Sequence, residues 1–179
     1  MKRTNKISKM VTAAFFLALA YVMPFLTGQI PEIGSMLCPM HIPVIICGFL
    51  CGANWGLTVG FIAPLFRSLT LGMPPFFPGA VCMAFELAVY GFASGLLYKK
   101  FSEKKSGIYI TLIISMILGR IVWGLAMIVS MGLSGGAFTL NAFIAGAITN
   151  AIPGIIIQII LIPLIVIAVE SMKKREKIK

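Results

Sequence analysis

The apolar positions of this chain fall in long unbroken stretches, unlike the one-faced or alternating patterns of a water-soluble domain. A bilayer core about 30 Å thick needs ~20 residues of apolar helix, and the first such stretch covers about 10–26. Residues 28–39 hold Gln29, Pro31, Glu32, Gly34 and Pro39, which predict a loop. The stretch 40–71 is too long for one crossing and short for two. Gly52-Ala53-Asn54-Trp55-Gly56 in its middle supplies turn residues and an interfacial Trp, predicting short helices over about 40–53 and 55–71. The prolines of 72–79 bar a helix interior, because each lacks an N–H and clashes with the preceding turn. Further helices are predicted over about 80–98, 107–131 and 140–170, the last kinked by Pro153 and Pro163. A Gly- and Ser-rich loop, 132–139, separates the last two. The expected fold class is an all-α integral membrane protein, with six transmembrane helices in one membrane domain over 1–179.

Composition supports this class. Of 179 residues, 11% are charged and 59% apolar, with a mean hydropathy of +1.02. Soluble domains carry about 25% charged residues, so too few are present here to cover a water-facing surface. Disordered chains are poor in aromatics, whereas this one has 13 Phe, 4 Tyr and 2 Trp. The basic start followed by an apolar run has the look of a secretory signal, but more membrane follows instead of a polar mature chain.

The net charge of +10 is concentrated. Thirteen of fifteen basic residues lie in three clusters: Lys2 to Lys9, Lys99 to Lys105, and Lys173 to Lys179. With the N-terminus inside, six spans put all three clusters on the inner side, and Glu32 is the only charge in the outer segments. Both termini are therefore expected to be cytoplasmic. No base-reading or base-stacking module accompanies the charge, so nucleic acid is excluded as a partner. The cysteines are Cys38, Cys47, Cys51 and Cys82; Cys38 with His41 makes too few ligands for a metal site, and all four read as buried thiols.

Three charges remain within predicted spans: Arg67, Glu86 and Arg120. Each is costly in hydrocarbon unless paired or hydrated, and so marks a candidate site. At about 1.5 Å of rise per residue, Arg67 lies ~6 Å and Glu86 ~9 Å from the outer ends of their helices. Arg120 sits near the middle of its helix, His41 opens the second helix, Asn141 starts the sixth and Asn150 lies ~15 Å down it. The polar groups thus gather in the outer half. Glu86 can pair with either arginine, but one carboxylate cannot neutralise two guanidiniums. The cation left over suits a bound carboxylate, which matches the planar fork of Arg. His41 also reads as a hydrogen-bonded helix cap, and Asn150 as helix–helix glue.

Small residues recur at four-residue spacing, at Ala14 and Ala18, at Gly91 and Gly95, and at Ala142, Gly146, Asn150 and Gly154. Such faces let membrane helices approach closely or dock a partner. Gly132-Leu133-Ser134-Gly135 matches the G-x-S-G string of rhomboid proteases, but the sole histidine, His41, precedes the serine instead of following it on a later helix. No phosphate-binding Walker motif is present, so ATP hydrolysis by this chain is not expected.

The stretch Met40-His41-Ile42-Pro43-Val44, with Cys47-Gly48-Phe49, Gly56, Pro64-Leu65-Phe66-Arg67-Ser68, Gly72-Met73-Pro74-Pro75 and Ala84-Phe85-Glu86-Leu87, resembles the substrate-binding S components of energy-coupling factor (ECF) vitamin transporters. Within them the likeness is to the pantothenate-type branch, and it covers about 10–170. The resemblance implies six helices around an outward pocket closed by the loop after the first helix. It also implies a multi-pass protein of the bacterial cytoplasmic membrane, with no enzymatic activity and no cofactor of its own. Its partners would be membrane lipid, a transmembrane coupling protein and two ATPases, docked through an Ala-x-x-x-Ala face matched by Ala14 and Ala18. Pantothenate, with one carboxylate, hydroxyls and an amide, would suit Arg67 or Arg120 with Glu86, His41, Asn141 and Asn150. Folate, a pyridoxine-type compound or a pyrimidine precursor is the alternative cargo, and a ligand-free membrane scaffold is the alternative outside transport.

Overall fold

The computed structural model describes residues 2–27, 30–101, 106–136, 139–146 and 150–176, and these are mostly helical, with no strand among them. The elements are α1 (Lys2–Val22), running into a 3₁₀ turn Met23–Thr27, then α2 (Pro31–Leu37), α3 (His41–Cys51) and α4 (Ala53–Leu71). A π-helical turn Phe76–Ala80 leads into α5 (Val81–Phe101), followed by α6 (Ser106–Leu133), α7 (Leu140–Ile144) and α8 (Ile152–Glu176). Four helical segments among the described residues are long and apolar enough to cross a bilayer: Lys6–Thr27, Phe76–Phe101, Ser106–Leu133 and Ile152–Met172.

The centre of the bundle is α3. All of its residues but Leu50 are buried, His41 included. At eleven residues it is only ~16 Å long, short for a bilayer, yet it is walled by protein and meets little hydrocarbon. Gly52 turns the chain from α3 into α4 with φ of 99°, a conformation open to glycine. Beside it, α4 and α5 approach to backbone contact: a Cβ added at Gly91 would lie 2.1 Å from the Gly56 carbonyl oxygen, and one at Gly60 2.2 Å from that of Leu87. With no hydrophobic drive to associate in lipid, such close backbone packing is what holds membrane helices together. The Gly91 and Gly95 face is therefore internal packing.

Around this centre, α1 buries Ala13, Phe16 and Ala20, spaced three and four apart, and leaves Val11, Phe15 and Val22 exposed. Ala14 and Ala18 fall on its exposed side. α8 is pinned at both ends. Gly154 packs against the backbone of Met36 and Leu37, and the Tyr98 hydroxyl donates to Glu170 with Phe49 edge-on to the Tyr98 ring.

Two elements differ from the sequence expectation. The expected loop 28–39 contains α2, a seven-residue helix that Pro31 opens at a position where its missing N–H costs nothing. It stops at Cys38, whose φ of 47° breaks the helical path. The helix expected over 140–170 is instead α7 and α8, separated at Asn150-Ala151. Pro153 does not kink it, because it sits in the first turn of α8, where no intrahelical donor is lost. Pro163 does lie inside that helix. Residues 147–149 of the expected sixth helix and 102–105 of the basic loop lie outside the described residues.

Candidate binding site

A cavity of about 420 Å³ lies at the end of the bundle opposite the start of α1 and the finish of α8. Small-molecule pockets commonly hold ~300–1,000 Å³. α2 and the turns before it form one side, with Ile30, Gly34 and Cys38 facing in; Met73 to Pro75 form another. The proline segment is fixed to α4 by Ser68, whose hydroxyl donates to the Pro74 carbonyl at 2.7 Å, while Gly72 caps the helix with φ of 69°. Most of the wall is apolar, so the few polar groups that reach it decide what it can hold.

Five of the six sequence candidates line this one cavity: His41, Arg67, Glu86, Arg120 and Asn150. Asn141 does not; it lies exposed on α7. Three of the five form a cluster. Arg120 Nη1 stands 2.9 Å from Glu86 Oε1, and His41 Nε2 stands 3.4 Å from the same oxygen. Glu86 is 1% exposed and His41 3%. Beneath them the Tyr90 ring meets the His41 ring edge-on at 5.2 Å and fills the space that a side chain at Gly119 would need. Arg120 Nη2 also points to Cys38 Sγ at 3.5 Å.

Arg67 stands apart from this cluster. Its Nη1 donates to the Tyr21 backbone carbonyl at 2.6 Å, and its guanidinium carbon lies 5.0 Å from the centre of the Phe25 ring and 5.9 Å from that of Tyr21. It is only 3% exposed, and no described carboxylate lies within 4.0 Å of it. Among the described residues the choice left open by the sequence is thereby decided: Arg120 takes Glu86, and Arg67 has no counterion. A carbonyl oxygen and two aromatic faces orient the guanidinium and ease its burial but do not neutralise it.

Two further lining residues carry weight: Cys38, which sequence reasoning left out of the site, and Trp123, which it noted only for its place one turn from Arg120. Cys38 read as a buried thiol, and only its position three residues before His41 hinted at a place in the cluster. Trp123, one turn beyond Arg120, lines the cavity, stacks on Phe143 at 6.2 Å and packs over Gly146. Phe76 and Phe77 are half-exposed and are not part of the wall.

Comparison with curated proteins gives no match, and comparison with solved structures gives none. The family model for the ECF transporter, substrate-specific component, matches residues 8–166. With that match over most of the chain, and with apolar helices enclosing a cavity lined by buried charge, the protein belongs to the family of ECF transporter substrate-specific components, multi-pass membrane subunits that bind substrate and are not themselves enzymes.

Proposed function

We propose that this subunit captures pantothenate at the outer face of the bacterial cytoplasmic membrane and delivers it for ATP-driven uptake. The observation that carries the reading is Arg67, buried in the cavity wall with no carboxylate partner among the described residues. A ligand carboxylate completes it, by the bidentate pairing that a guanidinium favours. The hydroxyl and amide groups of the ligand then meet Asn150 and the Arg120–Glu86–His41 cluster, in which Glu86 is already paired with Arg120. Asn141 joins the site only if α7 folds inward over the cargo.

In this reading the chain crosses the membrane six times with both termini cytoplasmic, α3 and α4 forming a protein-shielded pair between longer spans. The basic residues of α1, α5 and α8 then lie inside. The energising partners are a transmembrane coupling protein and two ATPases, and no cofactor is needed in this chain. The exposed Ala14 and Ala18 face of α1 is the docking surface, small enough for a partner helix to approach closely. One observation favours a flatter cargo: the Trp123 ring on the cavity wall would stack on a folate or pyridoxine-type ring.

The test is native mass spectrometry of the purified protein, followed by titration of candidate vitamins against Trp fluorescence. A co-purified mass of pantothenate and saturable quenching are expected. A different vitamin mass replaces the cargo and keeps the role, whereas no response to any vitamin overturns the reading.

A further inference from the structure

Arg67 and Arg120 line the same cavity, but a carboxylate of the protein already stands at Arg120. Glu86 Oε1 lies 2.9 Å from Arg120 Nη1 and 3.4 Å from His41 Nε2, so one oxygen draws together α3, α5 and α6. The side chain is buried at 1% exposure. One turn along α5, the Tyr90 ring packs edge-on against His41 and fills the space at Gly119 on α6. The next residue, Leu87, fixes the backbone, since a Cβ at Gly60 of α4 would collide with its carbonyl. Glu86 is thus held in place from three sides and does not withdraw from Arg120 to make way for a ligand. A carboxylate that only stitched helices together would not need to face the cavity, yet Glu86 lines it.

We propose that Glu86 is a specificity-determining residue of the cavity, one that excludes cargo carrying a second anionic group, a phosphate above all. The inference rests on the cargo reading above, in which a single carboxylate meets Arg67. A cargo bound there extends its other end toward the Arg120 cluster, where a second anion needs a free cation. It meets a carboxylate instead, in a buried site where repulsion is poorly screened. His41 faces that same oxygen and does not free Arg120, whichever charge it carries. A site discriminates by the group that repels the wrong ligand as much as by the one that attracts the right one. Without Glu86 the described wall would present two guanidiniums with no carboxylate partner, and Arg120 would offer a phosphate the fork that Arg67 offers a carboxylate. One acid thus turns a cavity with two cationic poles into one with a single place for an anion, which admits a free acid and turns away its phosphate ester.

The test is isothermal titration of the full chain with three probes: pantothenate, its phosphate ester on the terminal hydroxyl, and the dimethyl triester of that phosphate. The triester has the added bulk without the second charge. The unaltered protein is expected to prefer pantothenate to the phosphate ester by about 100-fold, and to bind the triester about tenfold more tightly than the ester. In Glu86→Gln, which frees Arg120, the preference for pantothenate over the ester should narrow by about tenfold or more. Adding Arg120→Gln to Glu86→Gln removes the freed cation, and the preference should return to within about threefold of its original value. Equal rejection of ester and triester by the unaltered protein assigns the selection to bulk and overturns the proposal, without need of any variant. An unchanged preference in a folded Glu86→Gln overturns it too, as does a preference that narrows equally in the double variant. Failure of the unaltered protein to bind pantothenate overturns the cargo reading and this inference with it, whereas a protein that binds pantothenate and fails these comparisons keeps its cargo and loses only the exclusion.

Discussion

Arg67→Gln and Arg120→Gln make the same chemical change at two points of one cavity, yet are expected to fail in different ways. Arg120 is half of a buried pair, 2.9 Å from a carboxylate that is itself 1% exposed. Removing one partner of such a pair costs about 3–5 kcal/mol, because the other charge is left buried and uncompensated. For a chain of this length, 1 kcal/mol shifts the melting temperature by about 2–4 °C, so Arg120→Gln should lose roughly 6–20 °C without any ligand. Arg67 has no such partner among the described residues. Its replacement gives up a charged hydrogen bond to the Tyr21 carbonyl, worth about 1.5–3 kcal/mol, but also relieves the cost of burying a cation with no counterion. The ligand-free protein should therefore melt close to the unaltered one. Binding shows the reverse. A ligand carboxylate that loses its buried charged partner forfeits about 2–5 kcal/mol, a drop in affinity from about 30-fold to several thousand-fold. Isothermal titration with pantothenate and thermal unfolding without it, run on both variants, read the two effects separately. If Arg67→Gln binds within threefold of the unaltered protein, or if Arg120→Gln melts at an unchanged temperature, the division of roles between the arginines is wrong.

Other outcomes follow from packing. Gly91→Ala places a methyl group 2.1 Å from the Gly56 carbonyl oxygen, so α4 and α5 must separate; a loss of about 1–3 kcal/mol or more is expected, and an unchanged thermal midpoint would refute the backbone contact. Tyr98→Phe leaves the Glu170 carboxylate without the hydroxyl that donates to it. That should cost about 1–3 kcal/mol and speed hydrogen exchange in the last turns of α8, whereas unchanged exchange there would show that the bond does not hold the helix. Ala18→Trp, on the exposed face of α1, should prevent co-purification with the energising module while leaving vitamin affinity unaltered. Full assembly of that variant would move the docking surface elsewhere.

Four long apolar helices were legible in the sequence because hydrocarbon imposes length and composition directly. The positions of α1, α5 and α6 followed from apolar runs bounded by glycine, proline and lysine. α2 was hidden because seven residues are too few to display a helical period, and Pro31 and Gly34 carry turn composition as well as helix-start chemistry. The division of 140–170 was hidden for a related reason. Ala142, Gly146 and Gly154 read as one small-residue stripe, which does not reveal where a chain stops being helical. The chain turns at Asn150-Ala151 just before α8 begins, and a proline's role depends on whether it falls in a first turn or an interior.

For the site, charge arithmetic went further than position. Glu86, Arg67 and Arg120 were marked by cost alone, since ionisable groups do not enter a membrane without a partner or a purpose. The surplus of one cation over one anion was already present in the count. Which arginine is left over could not be counted, because it depends on where the helices cross. Glu86 lies on α5, which packs along α6 beside Arg120, and Gly119 admits the Tyr90 ring that underlies the cluster. Arg67, on α4, is turned instead toward α1, where the Tyr21 carbonyl and the Phe25 ring receive it. His41 read more readily as a helix cap than as a ligand contact, and only the 3.4 Å approach to Glu86 joins it to the cluster. The same crossing explains why Cys38 escaped notice, since a thiol becomes a neighbour of Arg120 only once α2 has folded over the cavity. Helix geometry thus turns a surplus charge, readable from composition, into a particular atom facing a particular space, and that placement makes Arg67 the residue on which cargo recognition should turn.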